Sequence, residues 1–324
     1  MEIRNPEFRE NLHTLTRMMK LDPVTDEQTE IADKLIGRNT DRITEELTLH
    51  RALTDELFKK RDPELDPNGT KALLQEYPIG CCLYIREAVI AIVRSSALEE
   101  QDIPKAQKSI LTQIVETLGV KRVWGVKDDQ YFHNGIQAGN YFLDIANDTV
   151  DATQPKVVVS TIEQAGFRDI KSIQDYLDIS TRYHKFNFER NTAIPELAPL
   201  FPLIQIKTDK GIQRKKIHSI TLPVIADSLL RSGLDEFKKA YSAAPKTDKI
   251  TEQGIAESVR LLNHLLGAQQ LSPYPSPGNG LPTWNSFSTV SQALSSPEID
   301  PKILYRLYNT VKTINTVSRD IMAT

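Results

Sequence analysis

Cysteine is nearly missing from this chain. Among 324 residues only Cys81 and Cys82 are cysteines, and they are adjacent. Two cysteines cannot build a disulfide framework. Neighbouring Cα atoms lie ~3.8 Å apart across a trans peptide, whereas a disulfide usually spans at least ~4.4 Å, so a Cys81–Cys82 bond would be strained. Metal-ligand spacing is absent as well: the chain has no CxxC, no HExxH and no second cysteine pair. No apolar run approaches the ~20 residues that cross a bilayer. The longest, around Val89, contains Arg86 and Glu87. The first residues, MEIRNPEFRENLH, lack the apolar segment of a secretory leader, so a cytoplasmic location is expected. Charge of one sign is not in excess. With 40 Lys and Arg against 43 Asp and Glu, the net charge is −3, and no bulk field draws the chain to nucleic acid or to an anionic membrane. The only glycine-rich stretch, PGNG, has no Lys-Ser/Thr after it and is not a phosphate-binding loop.

What is present is ordinary globular material: 40% hydrophobic and 26% charged residues, enough chain for one large domain or two smaller ones. The first part reads as helix. Phe8, Leu12, Leu15 and Met19 keep helical spacing, and further amphipathic segments run over 26–38, capped by Thr25 or Asp26, and over 41–60, capped by Asp41. Two Asp-Pro pairs and Asn-Gly at 61–70 break the pattern. Strands are predicted at 120–126, within 130–146 and at 156–161, and a hairpin at 203–222 turns around Asp209-Lys210-Gly211. Its basic cluster, Arg214 to Lys216, reads as a solvated strand face. Residues 185–202 read as an extended loop. Helical spacing returns at 225–241, 251–268 and 303–321, and a Pro/Gly/Ser-rich loop fills 271–288. The expected division is therefore a helical region 1–66, an α+β core 67–224 and a helical region 225–324.

The cysteines stand at a junction. Pro78 and Gly80 break the chain just before them, and Ile85, Val89 and Ile92 follow at helical spacing. Val, Ile and Tyr there also suit a strand; length favours a helix, apolar nearly all round and buried. A cysteine nucleophile acts as thiolate, and a helix N-terminus lowers its pKa. It also needs an imidazole to take the proton and an acid to orient that imidazole. A hairpin loop at Ala138-Gly139 places His133 opposite Asp144, with Cβ atoms ~5 Å apart. A rival register turns at Asn134-Gly135 instead. Cys81 is the alternative nucleophile, and Asn147 and Asp148 rival Asp144. The bland alternative is a core cysteine with an incidental strand histidine.

These residues resemble the transglutaminase-like superfamily, which shares a papain-like core. YPIGCC is similar to its Phe-Pro-x-Gly-x-Cys approach, and HNGIQAGNYFLD to its His-to-Asp hairpin, although Asn134-Gly135 stands where the family often has Ala-Trp. The resemblance spans Gln75 to Asp148. It implies a buried helix packed on an antiparallel sheet, with Cys82 as nucleophile, His133 as base, Asp144 as orienting acid and Gln75 as an oxyanion donor. The implied activity is acyl transfer or hydrolysis at an amide bond of a protein or small molecule, without metal or organic cofactor. The alternative function is a non-catalytic, largely helical interaction protein.

Overall fold

A computed structural model describes residues 2–17, 19–60, 77–192, 197–209, 212–217, 220–246 and 287–321. The break at 61–70, the segment 251–268, most of the loop 271–288 and Gln75 lie outside the described residues. The chain is α+β, with antiparallel sheet and flanking helices. Among the described residues, no helix is long and apolar enough to cross a membrane.

Contacts gather the chain into two units. One is Met18–Asp169; the other joins Met1–Arg17 to Ile170–Thr324. This differs from the division at 66 and 224, and the reason is packing. Ile36, Ile43 and Leu47 share one apolar core with Ile85, Val89 and Ile90, and with Ile136, Leu143 and Ile145. The helices between residues 26 and 60 thus complete the sheet's core instead of forming a separate region.

In the first unit, helices run over Asp26–Leu35, Thr40–Lys60, Cys82–Glu99 and Ile110–Thr117. Thr25 caps the first of these. Its hydroxyl accepts from the Gln28 N–H while the Gln28 side chain accepts from the Thr25 N–H, a reciprocal box that satisfies two orphan donors. The next helix starts at Thr40, so Asp41 lies in its first turn and not at its cap. The five strands are β1 Lys121–Lys127, β2 Tyr131–Ala138, β3 Tyr141–Asp144, β4 Val158–Thr161 and β5 Phe167–Arg168. Their order is β4-β3-β2-β1-β5, and every pairing is antiparallel. The Cys82–Glu99 helix packs on β2 and on its two neighbouring helices. It is not buried all round: Ile85, Val89, Ile90 and Val93 face the core, whereas Leu83, Arg94 and Leu98 face outward.

The β2–β3 turn departs from the expected one. The register pairs Ala138 with Tyr141 and Ile136 with Leu143, so the loop is Gly139-Asn140. Gly139 has φ +57°. The first loop position needs a left-handed backbone that glycine adopts freely and alanine does not, so the turn slides past Ala138. The rival turn at Asn134-Gly135 is excluded, because β2 runs unbroken through both residues.

In the second unit, β6 Asn187–Arg190, β7 Leu203–Asp209 and β8 Ile212–Ile217 form an antiparallel sheet in that order. The β7–β8 hairpin falls where it was expected, and β6 occupies part of the expected loop. The expected helix over 225–241 is two helices, Leu222–Ser232 and Asp235–Ala243, separated at Gly233 with φ +60°. Pro6–Arg17 joins this unit because it packs on Leu222–Ser232. The remaining helices are Ile173–His184, Phe287–Leu294 and Ile303–Ile321.

Candidate active site

The Cys82 helix begins where the sequence breaks. Gly80 has φ +74°, and its N–H donates to the Thr149 carbonyl at 2.9 Å. The Cys81 N–H closes a turn onto the Pro78 carbonyl at 3.0 Å. Cys81 then caps the helix and Cys82 is its first residue. The first N–H groups of a helix have no intrahelical acceptor and carry the positive end of its dipole, so Cys82 sits in the position that favours a thiolate.

Both thiols are unbridged, but their settings are opposite. Cys81 is sealed in the core among aliphatic side chains. Its thiol is pushed up by burial and by the neighbouring Cys82 charge. Cys82 is half-buried. Burial pushes its thiol up too, yet the His133 imidazole and the Asn134 hydrogen bonds outweigh this, and the net shift is downward. The acidified sulfur is that of Cys82, the less buried residue of the two.

His133 and Asp144 meet. The His133 Nε2 lies 2.8 Å from Asp144 Oδ1, with both side chains 1% exposed. An ionised carboxylate only accepts hydrogen bonds. It therefore takes the Nε2–H and leaves Nδ1 as the nitrogen open to the Cys82 proton. Nδ1 is buried and makes no well-formed hydrogen bond. The Cys82 sulfur is close enough to the ring for the charges of the two groups to interact. Desolvation pulls the imidazole down, but Asp144 and the Cys82 thiolate together push it up to about 9.

The pair forms in spite of the shifted turn. The observed register carries Asp144 from opposite His133 to opposite Gly135, a displacement of two residues along β2. Side chains alternate with a period of two, so His133 and Asp144 stay on one face as diagonal neighbours.

The rivals of Asp144 have other work. Asp148 takes both terminal nitrogens of Arg51, at 2.7 and 3.0 Å. Asn147 accepts from the Lys127 ammonium at 2.6 Å. The same ammonium lies 2.6 Å from Asp144 Oδ2, and the Ala146 N–H donates to Oδ1 at 3.1 Å. Burial alone would raise Asp144, but His133 and Lys127 hold it below the ordinary carboxylate range.

No family model, curated protein or solved structure matches this chain. Among the described residues, no group of three or more His, Cys, Asp and Glu side chains has the arrangement to hold a metal ion.

Three residues of the site were not found from sequence. Lys127, at the end of β1, steadies Asp144; Asn134 donates its amide to the Cys82 sulfur at 3.2 Å. Arg51 lies behind them. It is fully buried and bonds Asp55, Asp148 and the Ile145 carbonyl, and Tyr77 bonds both Arg51 and Asp55. This network ties the Thr40–Lys60 helix to the residue before the cysteine turn and to the segment after β3. Asp55 four residues after Arg51 was the available signal, but that spacing reads as an ordinary surface pair.

Gly135 has a steric reason. A Cβ there would lie 2.2 Å from the ring of Phe142, whose centroid is 6.4 Å from that of His133. Gly135→Ala is expected to displace that ring and destabilise the protein by about 1–3 kcal/mol. Thermal unfolding reads this as a lower midpoint; an unchanged midpoint would mean that the ring moves without cost.

Proposed function

We propose that this chain is a cysteine-dependent enzyme of the transglutaminase-like or papain-like kind, which breaks or exchanges amide bonds through a Cys82-His133-Asp144 triad. The observation that carries the reading is one juxtaposition. A half-exposed cysteine opens a helix beside a buried imidazole whose far nitrogen is held by a buried carboxylate.

The chemistry follows from those positions. The Cys82 thiolate attacks the amide carbonyl carbon. A sulfur–carbon bond forms as the carbonyl π pair moves to oxygen. The Cys82 backbone N–H, at the head of the helix, is a donor for that oxyanion. The pair returns, the carbon–nitrogen bond breaks, and His133 Nδ1–H gives its proton to the leaving amine. Neutral His133 then takes a proton from water or from an amine, which attacks the thioester and frees Cys82. Asp144 keeps the ring in the required tautomer throughout. Water as acceptor makes the enzyme a peptidase, amidase or deamidase; an amine makes it a transglutaminase or amide synthase.

The interaction-protein reading rests on a different feature. Leu49, Leu53 and Leu57 are 67%, 56% and 60% exposed along one face of the Thr40–Lys60 helix. Such a stripe fits a partner surface, but it gives no reason for the buried His133-Asp144 pair beside a thiol.

Selective alkylation separates the two. At pH 6, iodoacetamide is expected to modify Cys82 rapidly and Cys81 not at all, with Cys81→Ala reacting as the wild type does and Cys82→Ala not reacting. A thiol of ordinary pKa is only about 0.3% ionised at that pH. A wild-type rate no higher than that of free cysteine sinks the enzyme reading.

A further inference from the structure

Asn134 follows the base directly, in a position where the resembled family often carries a small apolar residue. Its Nδ2 lies 3.2 Å from Cys82 Sγ, and its backbone N–H donates to the same sulfur. The residue is 8% exposed. Neighbouring strand residues point to opposite faces, so His133 and Asn134 reach one sulfur only because of where it stands. The β2–β3 ladder ends at Ile136–Leu143. Beyond it, His133 and Asn134 have no β3 residue laddered to them. The head of the Cys82 helix meets β2 at this edge, against both residues.

A buried amide in contact with a nucleophilic sulfur has two uses. Before attack it donates to the thiolate. After attack the negative charge has moved to the carbonyl oxygen, two bonds from the sulfur, and the same donor is within reach of it. Donors aimed at developing charge in a dry site are among the largest single contributions to catalysis.

We propose that Asn134 is a catalytic residue of this site, its side-chain N–H serving the Cys82 sulfur before attack and the carbonyl oxyanion after it. The proposal rests on the acyl-transfer reading above. In the step concerned, the sulfur–carbon bond forms and the carbonyl π pair moves to oxygen. Asn134 Nδ2–H and the Cys82 N–H then hold that oxygen until the pair returns and the leaving group departs. Asn134 gains and loses no proton.

Two reagents that meet the same sulfur distinguish this role from simple thiolate support. Acetylation of Cys82 by p-nitrophenyl acetate passes through an oxyanion. Alkylation by iodoacetamide is a displacement at saturated carbon and forms none. Both rates are measured on the whole chain for wild type, Asn134→Ala and Asn134→Leu, with adduct position read by mass spectrometry. The leucine variant keeps the branched four-atom outline of the side chain and loses the donor, so it carries the test if the alanine variant does not fold. Acetylation is expected to fall by about 10²–10³-fold, and alkylation only a few-fold. Equal losses in both rates overturn the proposal, as does an unchanged acetylation rate. A wild type that acetylates no faster than free cysteine overturns the acyl-transfer reading and this role together. A wild type that acetylates rapidly, with variants to match, overturns the role of Asn134 alone.

Discussion

If Cys82 and His133 act as proposed, His133→Ala is expected to lower the acylation rate of Cys82 by about 10²–10⁴-fold, the usual worth of a positioned acid-base group. Two losses combine. The leaving group no longer receives a proton, and the thiolate loses the cation that sustains it. Burial raises the Cys82 thiol, and the imidazole is first among the groups that bring it down again. With the ring removed, burial prevails and the thiol rises. The pH dependence has a definite sign. In the wild type the thiolate persists above its lowered pKa, and the imidazolium persists up to about 9. Acyl transfer from an amide needs both, so its rate rises as Cys82 ionises and falls as pH passes through about 9. Alkylation needs the thiolate alone and does not fall on the alkaline side. In His133→Ala, alkylation at pH 6 drops to background and climbs only at higher pH, as the raised thiol ionises. A variant whose pH–rate profile superimposes on the wild type removes His133 from the chemistry.

The second large effect concerns stability. Arg51→Ala is expected to cost about 3–5 kcal/mol, because it strands carboxylates that have no water to turn to. Arg51 is fully buried, and the side chains of Asp148 and Asp55 are 2% and 6% exposed. Asp148 would lose a two-pronged partner. Asp55 would keep Lys156 and Tyr77, which makes it the less damaged of the two. Denaturant unfolding measures the loss as a lower midpoint at unchanged slope. The site should suffer too, since Tyr77 precedes the cysteine turn and Asp148 follows Asp144. Equal midpoints for variant and wild type would show that the network contributes no stability.

How far the molecule was legible depended on the range of the interactions. The head of the Cys82 helix was legible, because Pro78 and Gly80 interrupt the chain and the apolar spacing resumes at once. The His133-Asp144 pairing was legible through the face rule, although the turn was misplaced by one residue; a displacement of two in pairing leaves faces unchanged. The two-unit grouping was not. Nothing local says that Pro6–Arg17 packs on Leu222–Ser232, or that Ile36 and Ile43 share a core with Ile136. Lys127, Asn134 and Arg51 were missed for one reason. A polar residue in a strand or helix reads as solvent-facing, and its burial shows only once Asp144, Cys82 and Asp148 stand against it.

The separation of the two thiols has a consequence for oxidation. A cysteine that forms a sulfenic acid is ordinarily protected when a second thiol condenses with it to a disulfide. Cys82 is the less buried and the acidified thiol, so it is the one an oxidant meets first. The only other thiol in the chain is that of Cys81, which is adjacent and turned into the core beside the Ile79 carbonyl. That arrangement suits no relaxed bridge. Recovery of an oxidised Cys82 therefore depends on a reductant supplied from outside the chain.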